Sequence, residues 1–291
     1  MIRQIRMGAF LTVVVGAGFL LAACEGMSGS ADEEEWIELF NGRDLDGWTT
    51  KIRNYPAGEN FADTFRVEAG SLTVSYDGYD AFNDRFGHIF YKNPYSHYRL
   101  RVEYRFTGEP LPGAPEWAYR NSGAMLHSQA PESMPPEQDF PISLEMQFLG
   151  GLSDGKQRPT GNLCTPGTHV EYQGRFEETH CLSSTSPTLD GDQWVLAEAL
   201  VLGDGRIVHY INGDAVIEYA RPTYGGGVVS GHRPAMKPDG KSLGEGYISL
   251  QSEGHAIQFR RVELLNLKGC MDRQASNYKS YFVADDPASC K

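Results

Sequence analysis

The chain has 291 residues and a formal net charge of −12 at pH 7. This negative balance argues against nucleic acid and anionic lipid headgroups as partners, because both repel carboxylates. Apolar residues make up 40% of the chain, including 15 Tyr and 14 Phe, which is enough for one sizeable core. We therefore expect a folded, acidic protein without a nucleic-acid partner.

The first 23 residues have the composition of an export signal. Two arginines precede an apolar run from Met7 to Ala23, which is shorter than the roughly 20 residues of a membrane-spanning helix. The run leads into Leu21-Ala-Ala-Cys24, which resembles the lipobox of bacterial lipoproteins, and Glu25 follows. The resemblance implies lipidation at Cys24, anchoring to the membrane and a cell-envelope location, at the outer membrane in a cell with two membranes. An ordinary secretory signal is the alternative.

Four cysteines remain when Cys24 is assigned to the lipid, and in an oxidising compartment they allow three pairings. We predict the local disulfides Cys164–Cys181 and Cys270–Cys290, because each closes a loop without clear strand patterning. Each would contribute about 3 kcal/mol by the chain-entropy argument. A metal–thiolate site is the alternative, but no CxxC spacing supports it.

The rest of the chain divides into a tether, a large domain and a small terminal module. Residues 24–35 are small, polar and acidic, which predicts a flexible tether. Residues 36–267 contain short apolar runs broken by Gly, Pro and Asn, which predicts an all-β domain. Residues 268–291 form a module bounded by two cysteines.

Alternation of apolar and polar residues predicts the strands of the large domain. Tyr98 to Phe106 alternates cleanly, and in Ile142 to Phe148 the polar residues, Glu145 and Gln147 among them, share one face. Further strands are predicted at 194–202, 207–211, 247–251 and 256–267, with a hairpin turn at Asn212-Gly213 and a loop over 221–244. Strands at this spacing with irregular inserts indicate a β-sandwich or jelly roll.

Four ordered motifs extend along this domain. They are LFNGRDLDGW at 39–48, Asn121-Ser122-Gly123, Glu145-Met146-Gln147, and GYISLQSEGH at 246–255 with Phe259-Arg260. Together they resemble the 3-keto-disaccharide hydrolase family, formerly a domain of unknown function. The resemblance implies a concanavalin-A-like jelly-roll β-sandwich and the hydrolysis of glycosides whose sugar carries a keto group at C3.

A keto group at C3 changes what cleavage requires. It acidifies the C2 proton, so that one base can form an enolate, C1 can lose its leaving group and water can then add. This route needs a base, a stabiliser for the enolate oxygen and a proton donor. It does not need the two opposed carboxylates of an ordinary glycosidase.

We predict either Glu145 or His127 as the catalytic base, with a cation, Arg260 or a histidine stabilising the oxyanion. The predicted substrate-binding residues are Asn121, Gln147, Gln251, Glu253, His255, Arg260, Trp117 and Tyr119. The alternative is that Glu145 and Gln147 only hydrogen-bond neighbouring strands. For the whole protein, the alternative function is non-catalytic carbohydrate binding on the same fold.

Two metal sites are also considered. A divalent cation held by histidines such as His169 together with Glu145 would suit enolate stabilisation. Asp272, Asp285 and Asp286 offer hard oxygen ligands for Ca²⁺ in the terminal module. The alternatives are histidines without a ligand role and a disulfide-stapled module with solvated acids.

Overall fold

The computed structural model describes residues 33–291. The predicted export signal, the lipidation site Cys24 and most of the tether lie outside the described residues. No helix within 33–291 is long and apolar enough to cross a membrane.

Nearly all regular structure in this range is β-strand. The strands are β1 (Trp36–Glu38), β2 (Trp48–Ile52), β3 (Phe65–Glu68), β4 (Ser71–Val74), β5 (Gly87–Tyr91), β6 (His97–Pro110), β7 (Asn121–Ser128), β8 (Leu144–Leu149), β9 (Asn162–Cys164), β10 (Thr168–Tyr172), β11 (Arg175–Glu177), β12 (Cys181–Leu182), β13 (Val195–Leu202), β14 (Arg206–Ile211), β15 (Asp214–Tyr224), β16 (Tyr247–Ser252), β17 (His255–Asn266), β18 (Lys268–Gly269) and β19 (Ala284–Asp285). Single 3₁₀ turns lie at Phe61–Asp63, Glu116–Ala118, Pro131–Ser133, Pro234–Met236 and Pro287–Ser289.

Two antiparallel sheets pack face to face as a jelly-roll β-sandwich. The ten-stranded sheet has the order β11-β10-β15-β14-β13-β6-β17-β4-β3, with β1 paired to β17. The seven-stranded sheet has the order β12-β9-β8-β7-β16-β5-β2. Strands far apart in the sequence are neighbours in both sheets, and the predicted all-β fold class is confirmed.

The core lies between the sheets and follows the predicted alternation. On β6 the residues from Tyr98 to Phe106 at every second position are buried, and the charged residues between them face outward. On β8, Met146 and Phe148 point into the core, and the Phe148 ring stacks on Tyr104 of the opposite sheet at 4.3 Å between centroids. Glu145 and Gln147 therefore lie on the other face, which we call the polar face of the seven-stranded sheet.

Both predicted disulfides are confirmed. Cys164 and Cys181 are paired across β9 and β12, with their Cα atoms 4.1 Å apart. Cys270 and Cys290 close the terminal module, with their Cα atoms 4.9 Å apart.

The terminal module pairs β18 with β19 and packs on the end of the large domain. The Val283 amide donates to the Leu267 carbonyl at 2.9 Å. The Lys279 ammonium forms an ion pair with Glu35, the last residue of the predicted tether. The predicted loop over 221–244 is wrong at its start, because β15 continues to Tyr224, where it pairs with Thr168 of β10.

Candidate active site

A row of six cross-strand residues, five polar residues and one glycine, crosses the polar face, with one residue from each of six adjacent strands. Strand register pairs Lys51 with His88 and His88 with Gln251. Leu250 pairs with Ala124, which places Gln251 beside Gly123. The row, called the polar row below, consists of Lys51, His88, Gln251, Gly123, Gln147 and Asn162.

Gly123 leaves a gap in the polar row, and the carboxyl of Glu145 fills it. A Cβ at Gly123 would lie 2.7 Å from Glu145 Oε1, closer than carbon and oxygen can approach. The glycine of the Asn-Ser-Gly motif therefore gives the carboxyl its place between Gln251 and Gln147. The geometry connects two motifs that are about twenty residues apart in the sequence.

A second carboxyl, that of Glu253, lies at the end of β16. The Gln251 side chain donates from Nε2 to Glu253 Oε1 at 2.9 Å. The Ser122 hydroxyl holds the same segment by donating to the Gln251 carbonyl at 2.8 Å. Glu253 Oε2 and Gln251 Oε1 are buried without a hydrogen-bond partner among residues 33–291. Buried polar atoms without a partner are uncommon in native interiors, so each of these two oxygens calls for an explanation.

Both carboxyls line a cavity of about 510 Å³ on the polar face, which is within the range of roughly 300–1,000 Å³ for small-molecule sites. Asn121 and Gln147 complete its polar floor. Its remaining walls are Trp117, Phe140, Leu149, Arg158, Cys164, Pro166, His180, Cys181 and Val228. The cavity combines a polar floor with largely apolar walls, as sugar-binding and other small-molecule sites do.

Burial raises the pKa of both carboxyls above the usual range of a glutamate. Loss of solvation raises the pKa of Glu145 to about 8. It raises the pKa of Glu253 well above its usual value, and the charge of Glu145 raises it further. Glu145 is thus the first of the two to lose its proton, while Glu253 retains its own. Paired carboxyls with unequal affinities are a recurrent arrangement for a base and an acid.

Residues 35–265 match the family described as the 3-keto-alpha-glucoside-1,2-lyase-like domain. The chain belongs to this family. No curated protein matches the chain in sequence. The family assignment confirms the resemblance inferred from the motifs.

Solved structures of similar fold include two proteins from Parabacteroides distasonis ATCC 8503 that are provisionally classed as glycosyl hydrolases. The first is 16% identical, with a TM-score of 0.48, and the match covers 80% of this chain and 100% of the other. The second is 18% identical, with a TM-score of 0.46 and coverage of 80% and 94%. The carbohydrate-binding module CBM66 from Bacillus subtilis is 11% identical, with a TM-score of 0.43 and coverage of 76% and 97%.

The structure of this 3-keto-alpha-glucoside-1,2-lyase-like domain brings together part of the predicted site. Glu145, Asn121, Gln147, Glu253 and Trp117 line the cavity. Gln251 lies beneath it, fully buried, and its side chain donates to Glu253.

His127 is not placed to act as the base, which corrects the prediction. Its side chain is 1% exposed and packs against Tyr98 in the core. Its Nε2 donates to the Gly203 carbonyl at 3.0 Å. A register shift lies between Tyr247 and Ser249 opposite this position, and His127 has a φ of +49°. The bulge turns the ring inward, away from the polar face.

Arg260 and His255 also lie outside the cavity. The Arg260 guanidinium forms an ion pair with Glu103 and lies 4.4 Å from the Trp194 ring centroid. Glu103 is on the outward face of β6, so Arg260 cannot reach an oxyanion on the other sheet. His255 is buried with its ring edge-to-face against Phe106 in the core. Neither residue lines the cavity, so the structure does not bring them to the other predicted site residues.

Tyr119 supports the site through its backbone rather than its ring. The ring packs against an aromatic cluster behind the cavity, and the carbonyl accepts from the Arg158 guanidinium at 2.6 Å. Arg158 also donates to the Arg120 carbonyl at 3.1 Å. Sequence reasoning missed Arg158, because it lies in an irregular loop without any periodic signal.

His180 is a second cavity residue that was not predicted to bind substrate. Its pKa is lowered by burial, so the ring is neutral. The one cluster of metal-ligand atoms found within residues 33–291 is Cys164, His180 and Cys181, whose ligand atoms lie within 4.8 Å of one another. Both cysteines are in a disulfide, and metal binding by cysteine requires the thiolate. In this oxidised form the cluster does not fit a metal.

The predicted ligands for other metals do not converge in the described part of the chain. His169 packs against Phe176, with ring centroids 5.1 Å apart. Asp272 accepts the Gln274 amide at 2.9 Å, and Asp285 accepts the Met271 amide at 3.1 Å. Asp286 instead caps a single 3₁₀ turn with its backbone. The aspartates thus organise turns of the terminal module.

Proposed function

We propose that this chain cleaves glycosides of 3-keto sugars by elimination across C1 and C2 of the sugar. The observation that carries the proposal is the pair of buried carboxyls, Glu145 and Glu253, on the floor of one cavity. The membership of the chain in the 3-keto-alpha-glucoside-1,2-lyase-like family supports the substrate class.

The first step is proton transfer from C2 to the carboxylate of Glu145. The electrons of the broken C2–H bond move toward C3, where the ketone oxygen becomes an enolate. A base with a pKa near 8 is well matched to such a proton, because burial strengthens it while leaving it ionisable near neutral pH.

Gln147 is the donor best placed to stabilise the enolate oxygen. Asn162 Nδ2 donates to Gln147 Oε1 at 3.0 Å. The amide oxygen is thereby engaged, so the Nε2 group of Gln147 is the end available to the cavity. A preorganised donor of this kind lowers the barrier because it needs no reorientation as charge develops.

The second step breaks the glycosidic bond. The enolate re-forms the C3 ketone, a double bond forms between C1 and C2, and the C1–O bond breaks. The protonated Glu253 donates its proton to the departing oxygen, so the products are an unsaturated keto sugar and an alcohol. Addition of water across the new double bond completes a net hydrolysis.

The elimination predicts a dependence on the keto group that ordinary glycoside hydrolysis lacks. We expect the purified soluble domain to cleave a nitrophenyl 3-keto-glucoside and to leave the unoxidised nitrophenyl glucoside intact. Deuterium at C2 should slow the reaction, or should exchange with solvent before cleavage. Equal turnover of both glucosides would contradict the proposal.

Glu145→Gln should lower kcat by about 100-fold or more, since general base catalysis contributes typically 10²–10⁴-fold. Glu218→Gln is the matched control, because Glu218 forms an exposed ion pair with Arg206 outside the cavity. Saturable binding of the 3-keto-glucoside without any turnover by the wild type would instead support the non-catalytic carbohydrate-binding alternative.

We further propose that the protein works outside the cytoplasm, anchored through a lipid on Cys24. The motif Leu21-Ala-Ala-Cys24 supports this location. The two disulfides support it as well, because disulfides persist mainly in oxidising compartments. Cys24→Ser should move the protein from the membrane fraction to the soluble fraction and abolish labelling with radioactive palmitate.

A further inference from the structure

Arg158 lies in the wall of the cavity, and the proposed reaction makes no use of its charge. Among the described residues that line the cavity it alone carries a positive charge, because burial lowers the pKa of His180 and keeps that ring neutral. The guanidinium forms no ion pair with a carboxylate within residues 33–291. A partly buried charge without a counter-ion calls for a reason, because buried charges are normally paired.

Backbone carbonyls hold the Arg158 guanidinium in place without neutralising it. Its two terminal nitrogens donate to the carbonyls of Trp117, Tyr119, Arg120 and Gly150. These acceptors are dipoles without net charge, and arginine stays protonated in proteins. The cavity wall therefore contains a fixed cation.

One N–H of this guanidinium remains unused. The Nε atom of Arg158 has no hydrogen-bond partner within residues 33–291, and it is not one of the buried unpartnered atoms of this range. It is therefore accessible to solvent. An accessible donor on a fixed cation can bind an anionic oxygen through a charge-assisted hydrogen bond, which is roughly twice as strong as a neutral one.

The charges around Arg158 do not take the place of such an anion. Burial and then the like charge of Arg120 lower the pKa of Arg158. Asp154 acts in the opposite direction, but it forms its own ion pair with Lys156 at 3.1 Å. Inside the cavity, Glu145 and Glu253 have raised pKa values and are mostly protonated at neutral pH. The positive potential at this wall is left uncompensated.

Arg158 and the proposed base lie toward opposite ends of β8. Glu145 is near the beginning of this strand, and Gly150, whose carbonyl accepts from Arg158, follows its last residue. The Trp117 carbonyl accepts from the same guanidinium at 3.5 Å, so Trp117 borders this end of the cavity as well. A group bound by Arg158 therefore belongs to a neighbouring sugar unit, and not to the ring that reacts at Glu145.

We propose that Arg158 selects glycosides in which the sugar next to the reacting ring carries an acidic group, by donating its Nε–H to an oxygen of that group. The acidic group is the carboxylate of a uronic acid or a sulfate ester, since both offer the guanidinium a negatively charged acceptor oxygen. The inference rests on the proposed function for the identity of the reacting ring as a 3-keto sugar.

The test measures the Kd of three unoxidised disaccharides by titration calorimetry: glucosyl-glucose, glucosyl-glucuronate and glucosyl-glucose 6-sulfate. At least one acidic disaccharide should bind about tenfold more tightly than the neutral one, the lower end of the effect of a hydrogen bond to a charged group. This preference should weaken as the salt concentration rises. Tighter binding of the glucuronate supports uronic acids as the source, and tighter binding of the sulfate ester supports sulfated sugars. Equal Kd values for all three would overturn the inference.

Variants then assign the preference to Arg158. Arg158→Gln removes the charge and should reduce the preference to within about twofold, whereas Arg158→Lys keeps the charge and should retain at least about threefold. Arg206→Gln is the matched control and should keep the full preference, because Arg206 forms an exposed ion pair with Glu218 outside the cavity. A folded Arg158→Gln variant with the wild-type preference would refute the assignment to Arg158.

A readout that needs no variant comes from ¹⁵N NMR of the Arg158 Nε–H, assigned through its own side-chain carbons. The acidic disaccharide should shift this signal, and the neutral disaccharide should shift it far less. An unchanged signal at saturation with the acidic disaccharide would refute the contact. None of these measurements requires turnover, so a failure to cleave 3-keto-glucosides would refute the proposed function and leave the acidic preference to be decided by binding.

Discussion

The carboxyl of Glu145 lies over the bare backbone of Gly123, and a methyl group there would stand 2.7 Å from its Oε1. A side chain at Gly123 and the present position of Glu145 are thus mutually exclusive. The glycine is required by space rather than by backbone conformation, since Gly123 does not have a positive φ.

Gly123→Ala should therefore displace Glu145, the proposed base, without removing it. We expect kcat to fall by about 100-fold, because a shift of about 1 Å in a reacting group has effects of that size. Stability should fall by about 1–3 kcal/mol, as in other overpacked sites. Steady-state kinetics and urea unfolding measure both. Gly244→Ala is the control, because its Cβ would make only ordinary contacts. Full activity in Gly123→Ala would contradict the placement of Glu145.

The raised pKa of Glu145 predicts how stability depends on pH. The folded protein binds this proton more tightly than the unfolded chain, in which the pKa is 4.5. The contribution of this carboxyl to the free energy of unfolding is fully present below pH 4.5. It is lost as the pH rises through about 8. Glu145→Gln removes this loss, so we expect the variant to gain on the order of a few kcal/mol relative to the wild type between pH 5 and pH 9.

Urea unfolding of the two proteins at several pH values measures the difference. The comparison with the variant is necessary because Lys51 makes the free energy of unfolding rise with pH in both proteins. Burial lowers the pKa of this lysine to about 8 in the folded state. Parallel pH profiles for the wild type and Glu145→Gln would show that this carboxyl has an ordinary pKa.

Activity should follow a bell-shaped pH profile. Glu145, the proposed base, must be ionised, so kcat/KM should rise as the pH approaches about 8. Glu253, the proposed acid, must be protonated, so activity should fall again at higher pH, where it loses its proton. Glu253→Gln should abolish the descending limb. A profile that is flat from pH 6 to 9 would exclude this pair as base and acid.

Trp117 should contribute to substrate binding at the cavity mouth. Its side chain is 52% exposed, and one ring face stacks on Phe86 at 5.9 Å. Trp117→Ala should raise KM about 3–10-fold with little change in kcat, since aromatic stacking contributes about 0.5–1.5 kcal/mol. Phe176→Ala is the control, because Phe176 is 64% exposed and does not line the cavity. An equal effect of the two substitutions would count against a specific role for Trp117.

The two disulfides should differ in their effect on activity. Replacing either pair by serine should cost about 3 kcal/mol, because the loops are of similar length. Only loss of Cys164–Cys181 should also lower activity, since Cys164 is the cross-strand partner of Glu145. Thermal unfolding and kinetics of the two double variants test this. Equal activity in both would show that the Cys164–Cys181 bond only stabilises the fold.

Residues on regular strands could be placed from the sequence because side chains alternate with period two. This rule put Glu145 and Gln147 on one face, and the structure agrees. The same rule assigns His127 to the face of Asn121 and Gly123, where it does not lie. A bulge adds one residue to β7, and an extra residue reverses every later side chain.

The rest of the site depends on contacts between distant segments. Arg260 lies in one of the four family motifs, as Glu145 does. Its strand, β17, belongs to the ten-stranded sheet, whereas the cavity lies on the seven-stranded sheet. Arg158 and His180 reach the cavity from irregular segments, for which alternation gives no information. Sequence pattern thus indicates the face of a strand, and sheet topology decides which strands share a site.

The central position of β16 has a consequence for how the protein matures. This strand pairs with β7 on one side and β5 on the other, although it begins only at Tyr247. Until it is synthesised and docked, the seven-stranded sheet exists as two halves with open edges, and the carboxyl pair cannot assemble. Assembly of the proposed base and acid therefore requires β16 to be in place, and recovery of the proposed activity during refolding would report closure of the whole sheet.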